Sequence, residues 1–361
     1  MPARPTVVLP VARAAPDPAV IARAAAVLRG GGLVAFPTET VYGLGGAALD
    51  PTAVAAIYAA KGRPATDPVI VHLAAAADLA LVAAVVPPAA AALATACWPG
   101  PLTLIVPKAD GVPAAVTAGL PNVAVRVPDH PVALALLRAA GVPVAAPSAN
   151  RFSRPSPTTA AHVVADLDGA IDLVLDAGPT DIGVESTIVD CTVQPPLVRR
   201  AGGVSIERLR GVVPAIATVD GDAAVERPQV APGQLLRHYA PVAPLTVFAG
   251  PPAAVVQRLI AEVRSRTAAG QRVGVLAPED DLLAIAGAIA APAAAGRVVT
   301  ASLGRRAAPD QAARRLFAAL RTLDGEGVEV IVGAGPDRRD LGVAVWDRLR
   351  RAAEGRVVGV G

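Results

Sequence analysis

Short apolar runs alternate with longer alanine-rich or amphipathic stretches along most of the chain. Short apolar runs bounded by turn-forming residues are typical of buried strands, and the longer stretches are typical of helices. The pattern predicts strands at 33–36, 69–73, 102–106, 123–127, 143–146, 172–175, 186–190 and 197–200. Helices are predicted at 131–140, 158–167 and 205–209. Asp17 and Asp50 are predicted to begin two earlier helices as N-caps, and Pro51 favours the second.

The alternation is most regular in the C-terminal part of the chain. Strands are predicted at 245–248, 272–276, 296–299 and 327–332. Helices are predicted at 252–267, 280–290, 307–322 and 339–353. A strict strand–helix order predicts a parallel sheet with right-handed crossovers, which is a Rossmann-like arrangement.

Residues 210–243 differ from both parts. They contain several prolines, few apolar periods and a polar cluster near the end. Such a stretch is longer than a compact domain usually contains without a function. The predicted organisation is therefore a first domain at 1–209, a linker at 210–243, and an α/β domain at 244–361.

Composition excludes several classes of protein. The chain has 361 residues, 53% of them apolar, and a formal net charge of +3. No apolar run is long enough for a membrane helix, and the N-terminus does not have the pattern of a signal peptide. Cys97 and Cys191 stand far apart without CxxC spacing, so neither a zinc site nor a disulfide framework is predicted. The cytoplasm is the expected location.

Some residue types are rare enough to be informative. Lysine occurs only as Lys61 and Lys108, and asparagine only as Asn122 and Asn150. Beyond Pro244 the chain has no Lys, Asn, His, Tyr or Cys. These retained residues point to 36–240 as the part that carries the chemistry.

The stretch FPTETVYGLG (36–45) follows the first predicted strand. Thr38, Glu39, Thr40 and Tyr42 come just past its carboxyl end, where α/β sheets usually bind ligands. The glycines at 43–46 match a dinucleotide fingerprint only weakly, because six residues separate them from the strand. For the glycines alone, a simple turn is favoured over a nicotinamide site.

Two further stretches carry groups suited to phosphate. In KGRPATDPVIVH, Lys61 supplies a point charge and Arg63 a two-pronged donor, a pairing that suits polyphosphate. The alternative is that Lys61 only offsets a helix dipole. In APSANRFSRPSPTT, Ser156 or Thr158 is predicted to cap a helix, and the helix N-terminus is also a candidate anion site. No GxxxxGK[ST] motif occurs.

The last two stretches are GVESTIVDC, followed by paired arginines, and APGQLLRHYAP. Arg199 and Arg200 end a strand, and charges on an edge strand are the alternative reading. Arg237, His238 and Tyr239 form an aromatic and basic cluster in the linker. Such segments act as lids that exclude water.

Together, these stretches resemble one family. PTETVYGLG, KGRP with VH, SAN with PSPT, STIVD, the paired arginines and HYAP are similar in order and spacing to L-threonylcarbamoyladenylate synthases with a YrdC-like domain. The linker and the closing GLGVAVWDRLRRAA resemble the two-domain form. The resemblance implies an α/β fold: a YrdC-like twisted mixed sheet with helices, and a smaller Rossmann-like parallel α/β C-terminal domain.

The resemblance implies a nucleotidyltransferase. This family condenses L-threonine, bicarbonate or CO₂, and ATP into threonylcarbamoyl-AMP and pyrophosphate. The product feeds the N6-threonylcarbamoyladenosine modification of tRNA, so a downstream tRNA threonylcarbamoyltransferase machinery is the implied partner. Mg²⁺ would enter with ATP, and no organic cofactor or resident metal site is implied. The mild positive charge is compatible with weak tRNA contact.

The resemblance also implies site residues. Lys61 and Arg63 would be catalytic by offsetting phosphate charge. Residues from several stretches would bind threonine, namely Thr38, Thr40, Tyr42, His72, Arg126 and Ser186. The nucleotide would be bound by Lys61, Arg63, Asp67, Ser148, Asn150, Ser156, Arg200, His238 and Tyr239. In one departure from the family pattern SANxSGxPSPT, Phe152 and Ser153 replace the Ser-Gly pair, so Ser153 is expected to be strained if that position needs a positive φ.

Three other functions are compatible with parts of the sequence. A non-catalytic double-stranded RNA or tRNA-binding protein would bind by charge, and its affinity would fall steeply with salt. The carbamoyltransferase that matures hydrogenases contains a similar domain, but its paired CxxC zinc fingers are missing from this sequence. A nicotinamide enzyme rests only on the weak glycine match.

Overall fold

The computed structural model describes residues 5–218 and 238–361, which form two compact units. Among these residues, the first unit contains 5–152 and 156–218, and the second contains 153–155 and 238–361. Within the described ranges, no helix is long and apolar enough to cross a membrane.

The first unit has a mixed sheet with helices packed on it. Its strands are β1 Val7–Pro10, β2 Val34–Pro37, β3 Tyr42–Ala47, β4 Ile70–His72, β5 Leu102–Pro107, β6 Asn122–Arg126, β7 Val144–Ala145, β8 Leu173–Asp176, β9 Thr187–Asp190, β10 Leu197–Arg200 and β11 Ala217–Thr218. Their order is β1-β8-β2-β3-β7-β4-β6-β5-β9-β10-β11, with parallel and antiparallel neighbours. This confirms the mixed α/β prediction.

Helices pack on this sheet, and the first two begin at capping aspartates. They are α1 Pro18–Arg29, α2 Pro51–Lys61, a 3₁₀ helix at Ala76–Leu81, α3 Pro88–Cys97, α4 Ala114–Thr117, α5 Pro131–Ala140, α6 Ala160–Leu167 and α7 Ile206–Val212. The carboxylates of Asp17 and Asp50 cap α1 and α2, as predicted, each accepting a hydrogen bond of 2.8 Å. Gly62 ends α2 in the left-handed region, which places the residues after Lys61 in a turn.

The predicted glycine turn at 43–46 is wrong. These glycines lie in β3, which pairs antiparallel with β2, and the reversal occurs at 38–41. A Cβ on Gly45 would lie 2.8 Å from the Phe36 ring and 2.9 Å from Val144. The strand needs glycine because side chains from both neighbouring strands occupy that space.

The start of the predicted linker continues the first unit. Helix α7 extends to Val212, and β11 pairs in parallel with β10 through Leu197 and Ala217. Residues 219–237, including Arg237, lie outside the described residues.

The second unit is built on a parallel sheet, as predicted. Its strands are β12 Leu245–Ala249, β13 Val273–Ala277, β14 Val298–Ser302, β15 Val330–Ala334 and β16 Val357–Gly359, in the order β14-β13-β15-β12-β16. Its helices are α8 Pro252–Ala268, α9 Glu279–Ala294, α10 Pro309–Gly325 and α11 Leu341–Ala352. Helix α8 packs against α9, and α10 against α11. The short strand β16 was not predicted.

Candidate functional site

The ends of two parallel strands bring His72 and Arg126 side by side. His72 ends β4, Arg126 ends β6, and the two residues are partners in the register. The loop at 38–41, between β2 and β3, supplies the groups opposite Arg126. Three sequence stretches that are distant along the chain therefore meet at one place in the first unit.

Arg126 is the centre of a buried polar network. Its side chain is 4% exposed. Its guanidinium donates to Thr40 Oγ1 at 2.9 Å and to the Gly100 carbonyl at 3.2 Å, and lies 2.7 Å from Glu39 Oε2. The hydroxyls of Thr38 and Thr40 are 2.8 Å apart. A planar cation beside two hydroxyls is suited to binding a carboxylate.

Backbone hydrogen bonds tie this loop to the segment before β9. The Ile182 amide donates to the Glu39 carbonyl at 2.9 Å, and the Gly183 amide donates to the Thr40 carbonyl at 3.1 Å. Glu185 follows two residues after Gly183, and its carboxylate accepts a 2.5 Å hydrogen bond from the Ser156 hydroxyl.

Thr159 caps α6, with its side chain accepting from the His162 amide at 3.3 Å. The prediction that Ser156 or Thr158 is the cap is therefore wrong. The cap is the residue after Thr158. The Ser156 hydroxyl does not cap the helix and instead donates to the Glu185 carboxylate.

Lys61 holds the loop that contains Ser148 and Asn150. Its side chain is buried, and Nζ donates to the carbonyls of both residues, at 2.6 Å for Asn150. Burial, and then the charge of Arg63, lower the pKa of Lys61 well below its usual range, while Asp67 and Asp166 oppose this. Lys61 thus contacts carbonyl oxygens, which neutralise its charge less fully than a carboxylate would.

Arg63 forms a buried ion pair with Asp67. Arg63 Nη2 lies 2.9 Å from Asp67 Oδ2, and the guanidinium also donates to the carbonyls of Asp67 and Pro68. Burial raises the pKa of Asp67, and the positive charges of Arg63, Lys61 and Arg200 each oppose that rise. Cations from two separate stretches therefore act on one carboxylate, and Arg63 is in direct contact with it.

Arg200 joins this cluster to Ser186. Its Nη2 donates to the Ser186 carbonyl at 3.0 Å and to the Ser186 hydroxyl at 3.3 Å. The same hydroxyl lies 2.7 Å from that of Thr103. Arg199 instead pairs with Asp190 at 2.6 Å. The edge-strand alternative is wrong, because β10 lies between β9 and β11.

Two histidines beside the Arg126 network are buried. Burial, and then the charge of Arg126, lower the pKa of His72 to about 3. Burial, and then Arg13, lower the pKa of His130 to about 4, although Glu39 opposes this. Both imidazoles are neutral at pH 7, and the His72 ring packs edge-on to Phe36 with centroids 6.2 Å apart.

Some predicted residues have other contacts. Tyr42 is buried, its hydroxyl donates to the Gly178 carbonyl at 2.7 Å, and burial raises its pKa. His238 and Tyr239 belong to the second unit, where the Tyr239 ring packs against Phe317 with centroids 5.3 Å apart. The substrate contacts expected of these three residues stay predictions.

Sequence reasoning named Glu39 among the polar residues after the first strand but gave it no role, and it missed Glu185 and Thr103. A signal existed for the two glutamates, since both lie inside motifs that the sequence analysis singled out. The expected strain at Ser153 is present, because this residue adopts φ +70° where a glycine would do so without cost.

Two family models match successive parts of the chain. The model described as Telomere recombination, of the Sua5, YciO and YrdC proteins, matches residues 26–202. The model described as Threonylcarbamoyl-AMP synthase, C-terminal domain, matches residues 204–354.

Known proteins resemble the chain over nearly its full length. Threonylcarbamoyl-AMP synthase of Bacillus subtilis is 44% identical over 94% of this chain and 94% of that protein. The Pyrococcus abyssi enzyme of the same name is 41% identical over 93% of this chain and 95% of that protein. A crystal structure of P. abyssi Sua5 complexed with L-threonine covers 99% of this chain and 100% of that one, with 40% identity and a TM-score of 0.89. The chain therefore belongs to the threonylcarbamoyl-AMP synthase family, in the form that carries a Sua5 C-terminal domain.

Proposed function

We propose that the chain makes threonylcarbamoyl-AMP and pyrophosphate from L-threonine, bicarbonate or CO₂, and ATP. One observation carries the proposal: the first unit holds both a buried arginine beside hydroxyls and a separate group of three cations near one carboxylate. Arg126, beside Thr40, suits an amino-acid carboxylate. Lys61, Arg63 and Arg200, around Asp67, suit a polyphosphate. An enzyme that joins an amino-acid derivative to a nucleotide needs both.

The threonine site is proposed around Arg126. Its guanidinium would bind the carboxylate together with Thr38 and Thr40, and neutral His72 would hydrogen-bond the substrate hydroxyl or amine. Ser186 would complete the site from β9. P. abyssi Sua5, whose crystal structure was solved with L-threonine, supports an amino-acid site in this fold.

The nucleotide site is proposed around Lys61, Arg63 and Arg200, with Ser148, Asn150 and Ser156 at its border. We propose that Mg²⁺ enters with ATP, bound mainly by phosphate oxygens, as is usual for this ion. His238 and Tyr239 are proposed to contact the adenylate. A structure of P. abyssi Sua5 with an adjacent histidine and tyrosine changed to alanine supports testing this pair.

The proposed reaction needs no covalent enzyme intermediate. The threonine amine attacks CO₂, a proton leaves the nitrogen, and a carbamate forms. A carbamate oxygen then attacks the α-phosphorus, and the bond to the pyrophosphate oxygen breaks. Charge neutralisation by the three cations and close positioning of the two reactants are the proposed sources of rate acceleration. The carbamate is unstable in water, so a buried site such as that of Arg126 is favourable.

The test is pyrophosphate release from ATP, measured with and without threonine and bicarbonate, with the product identified by mass. We expect release to require both co-substrates and to yield threonylcarbamoyl-AMP. Release that ignores threonine would contradict the proposal. A protein that releases none but binds tRNA with strong salt dependence would instead be the RNA-binding alternative.

The proposed product is an activated acyl donor, so a tRNA threonylcarbamoyltransferase system is the proposed recipient. Both cysteines are buried and unpaired, which suits a reducing compartment, and the cytoplasm is the proposed location.

L-threonine binding is expected to be independent of pH between about 5.5 and 8. A base with a lowered pKa is neutral above that pKa, and His72 and His130 would gain protons only near pH 3 and 4. Calorimetric measurement of the threonine Kd across this range checks the prediction. An inflection near pH 6.5 that disappears in His72→Gln would contradict it.

A further inference from the structure

A cleft in the second unit lies outside everything proposed above. It has a volume of about 440 Å³, which is within the range typical of small-molecule sites. Residues of three separate connections and of helix α11 line it, namely Ala249, Gly250, Pro252, Arg306, Pro336, Asp337, Arg338 and Trp346. We propose that this cleft binds a small phosphate ester that also carries hydroxyl groups, such as a sugar phosphate or a nucleoside monophosphate.

The cleft lies at a switch point of the parallel sheet. Strands β12 and β15 are neighbours, but β12 leads through α8 to β13 on one side, whereas β15 leads through α11 to β16 on the other. Right-handed crossovers then place α8 and α11 on opposite faces, in agreement with the packing of α8 on α9 and α11 on α10. The two chain segments diverge after these strands, and open α/β sheets bind ligands in such crevices.

Three groups make the electrostatic potential in the cleft positive. Helix α8, which has seventeen residues, begins at Pro252 in the cleft wall, so the positive end of its dipole lies there. The guanidinium of Arg338 lies 4.2 Å from the centroid of the Trp346 ring, and its residue is exposed. Arg306 is the third source. Phosphate groups favour guanidinium groups and helix N-termini.

Arg306 has unused hydrogen-bonding capacity. It pairs with Asp281 and donates to the Gly335 carbonyl at 3.3 Å, and its side chain is 18% exposed. Its Nε has no hydrogen-bond partner among the described residues but is buried, so a ligand in the cleft can reach only the exposed part of the side chain. The pairing with Asp281 offsets the charge of Arg306, so the cleft is suited to a monophosphate and not to a more highly charged chain of phosphates.

Two further features fix the shape and the selectivity of the cleft. The Trp346 indole donates to the Pro336 carbonyl at 2.7 Å, and a Cβ on Gly335 would lie 2.5 Å from that ring. The absence of a side chain at Gly335 therefore allows the ring to lie against the end of β15. Asp337 adds a carboxylate that repels a second anion but accepts hydrogen bonds from hydroxyls, which is why a hydroxyl-bearing ester is preferred over inorganic phosphate.

Trp346 can report binding directly, because Trp98 is the one other tryptophan in the sequence. The full chain carrying Trp98→Phe is titrated with ribose 5-phosphate and with inorganic phosphate while Trp346 emission is recorded. We expect a saturable change with ribose 5-phosphate at lower concentration than with phosphate. Calorimetry on the unaltered chain runs in parallel, so a folding defect of Trp98→Phe does not decide the result.

Arg338→Gln is expected to weaken ribose 5-phosphate binding on the order of tenfold, the usual effect of losing one charged hydrogen bond. Arg305→Gln is the matched control, because Arg305 is exposed, makes the same change of charge and does not line the cleft. No saturable binding, or equal weakening by both variants, would overturn the proposal. Neither variant alters the proposed catalytic site, so failure here leaves that proposal untouched.

Discussion

Arg126→Ala is expected to weaken L-threonine binding by roughly 100-fold or more, because the variant loses the proposed partner of the substrate carboxylate. It is also expected to lower the free energy of unfolding by about 3–5 kcal/mol, since removing one member of a buried ion pair leaves the other charge without compensation. The charge left behind is Glu39, which lies 2.7 Å from Arg126. Calorimetry with threonine and chemical denaturation measure the two effects.

The double variant Arg126→Ala and Glu39→Ala separates those effects. Removing both charges should restore much of the stability while threonine binding stays lost. If the double variant binds threonine normally, Arg126 is a structural residue and the proposed carboxylate site is wrong. Arg126→Lys is a further probe, since a point charge can replace the ion pair but not the planar donor pair.

Arg63→Ala and Lys61→Ala are each expected to reduce pyrophosphate release by roughly 100- to 1000-fold, the usual effect of removing one group that stabilises transition-state charge. Lys61 also holds the carbonyls of Ser148 and Asn150, so its removal should perturb their loop as well. Single-turnover assays at saturating substrates would measure the chemical step.

Arg199→Ala is the matched control for these variants. Arg199 is the neighbour of Arg200 but pairs with Asp190 by two hydrogen bonds, the shorter at 2.6 Å, so the variant removes the same charge without touching the cation cluster. We expect near-normal release from a folded Arg199→Ala protein. Wild-type release from Arg63→Ala and Lys61→Ala would contradict their proposed roles.

Local chemistry made much of the fold predictable. Asp17 and Asp50 mark helix starts because a carboxylate before a helix satisfies free amides, and both act as caps here. The strict strand–helix alternation of the C-terminal part predicts the parallel sheet, because a helix between two strands lets the second run in the same direction as the first. The retained Lys61 is buried, and the role toward phosphate that its retention suggested stays a prediction.

Long-range contacts were not predictable in the same way. The Glu39 and Arg126 ion pair joins positions far apart in the chain, and no local pattern names such partners. The space around Gly45 is filled by Phe36 and Val144 from neighbouring strands. The sequence does not show these contacts, and without them the glycines are predicted to form a turn. The second-unit cleft has no motif because each connection contributes only one to three of its residues.

The pairing of Arg126 with Glu39 has a consequence for selectivity. Since the pair is already electrically neutral, a zwitterion such as threonine can enter without adding net charge to a buried region. Aspartate would bring an extra negative charge and a decarboxylated amine an uncompensated positive one, and either would carry the cost of an unmatched ion away from water. The proposed threonine site is therefore expected to discriminate between amino acids first by their net charge and only then by their shape.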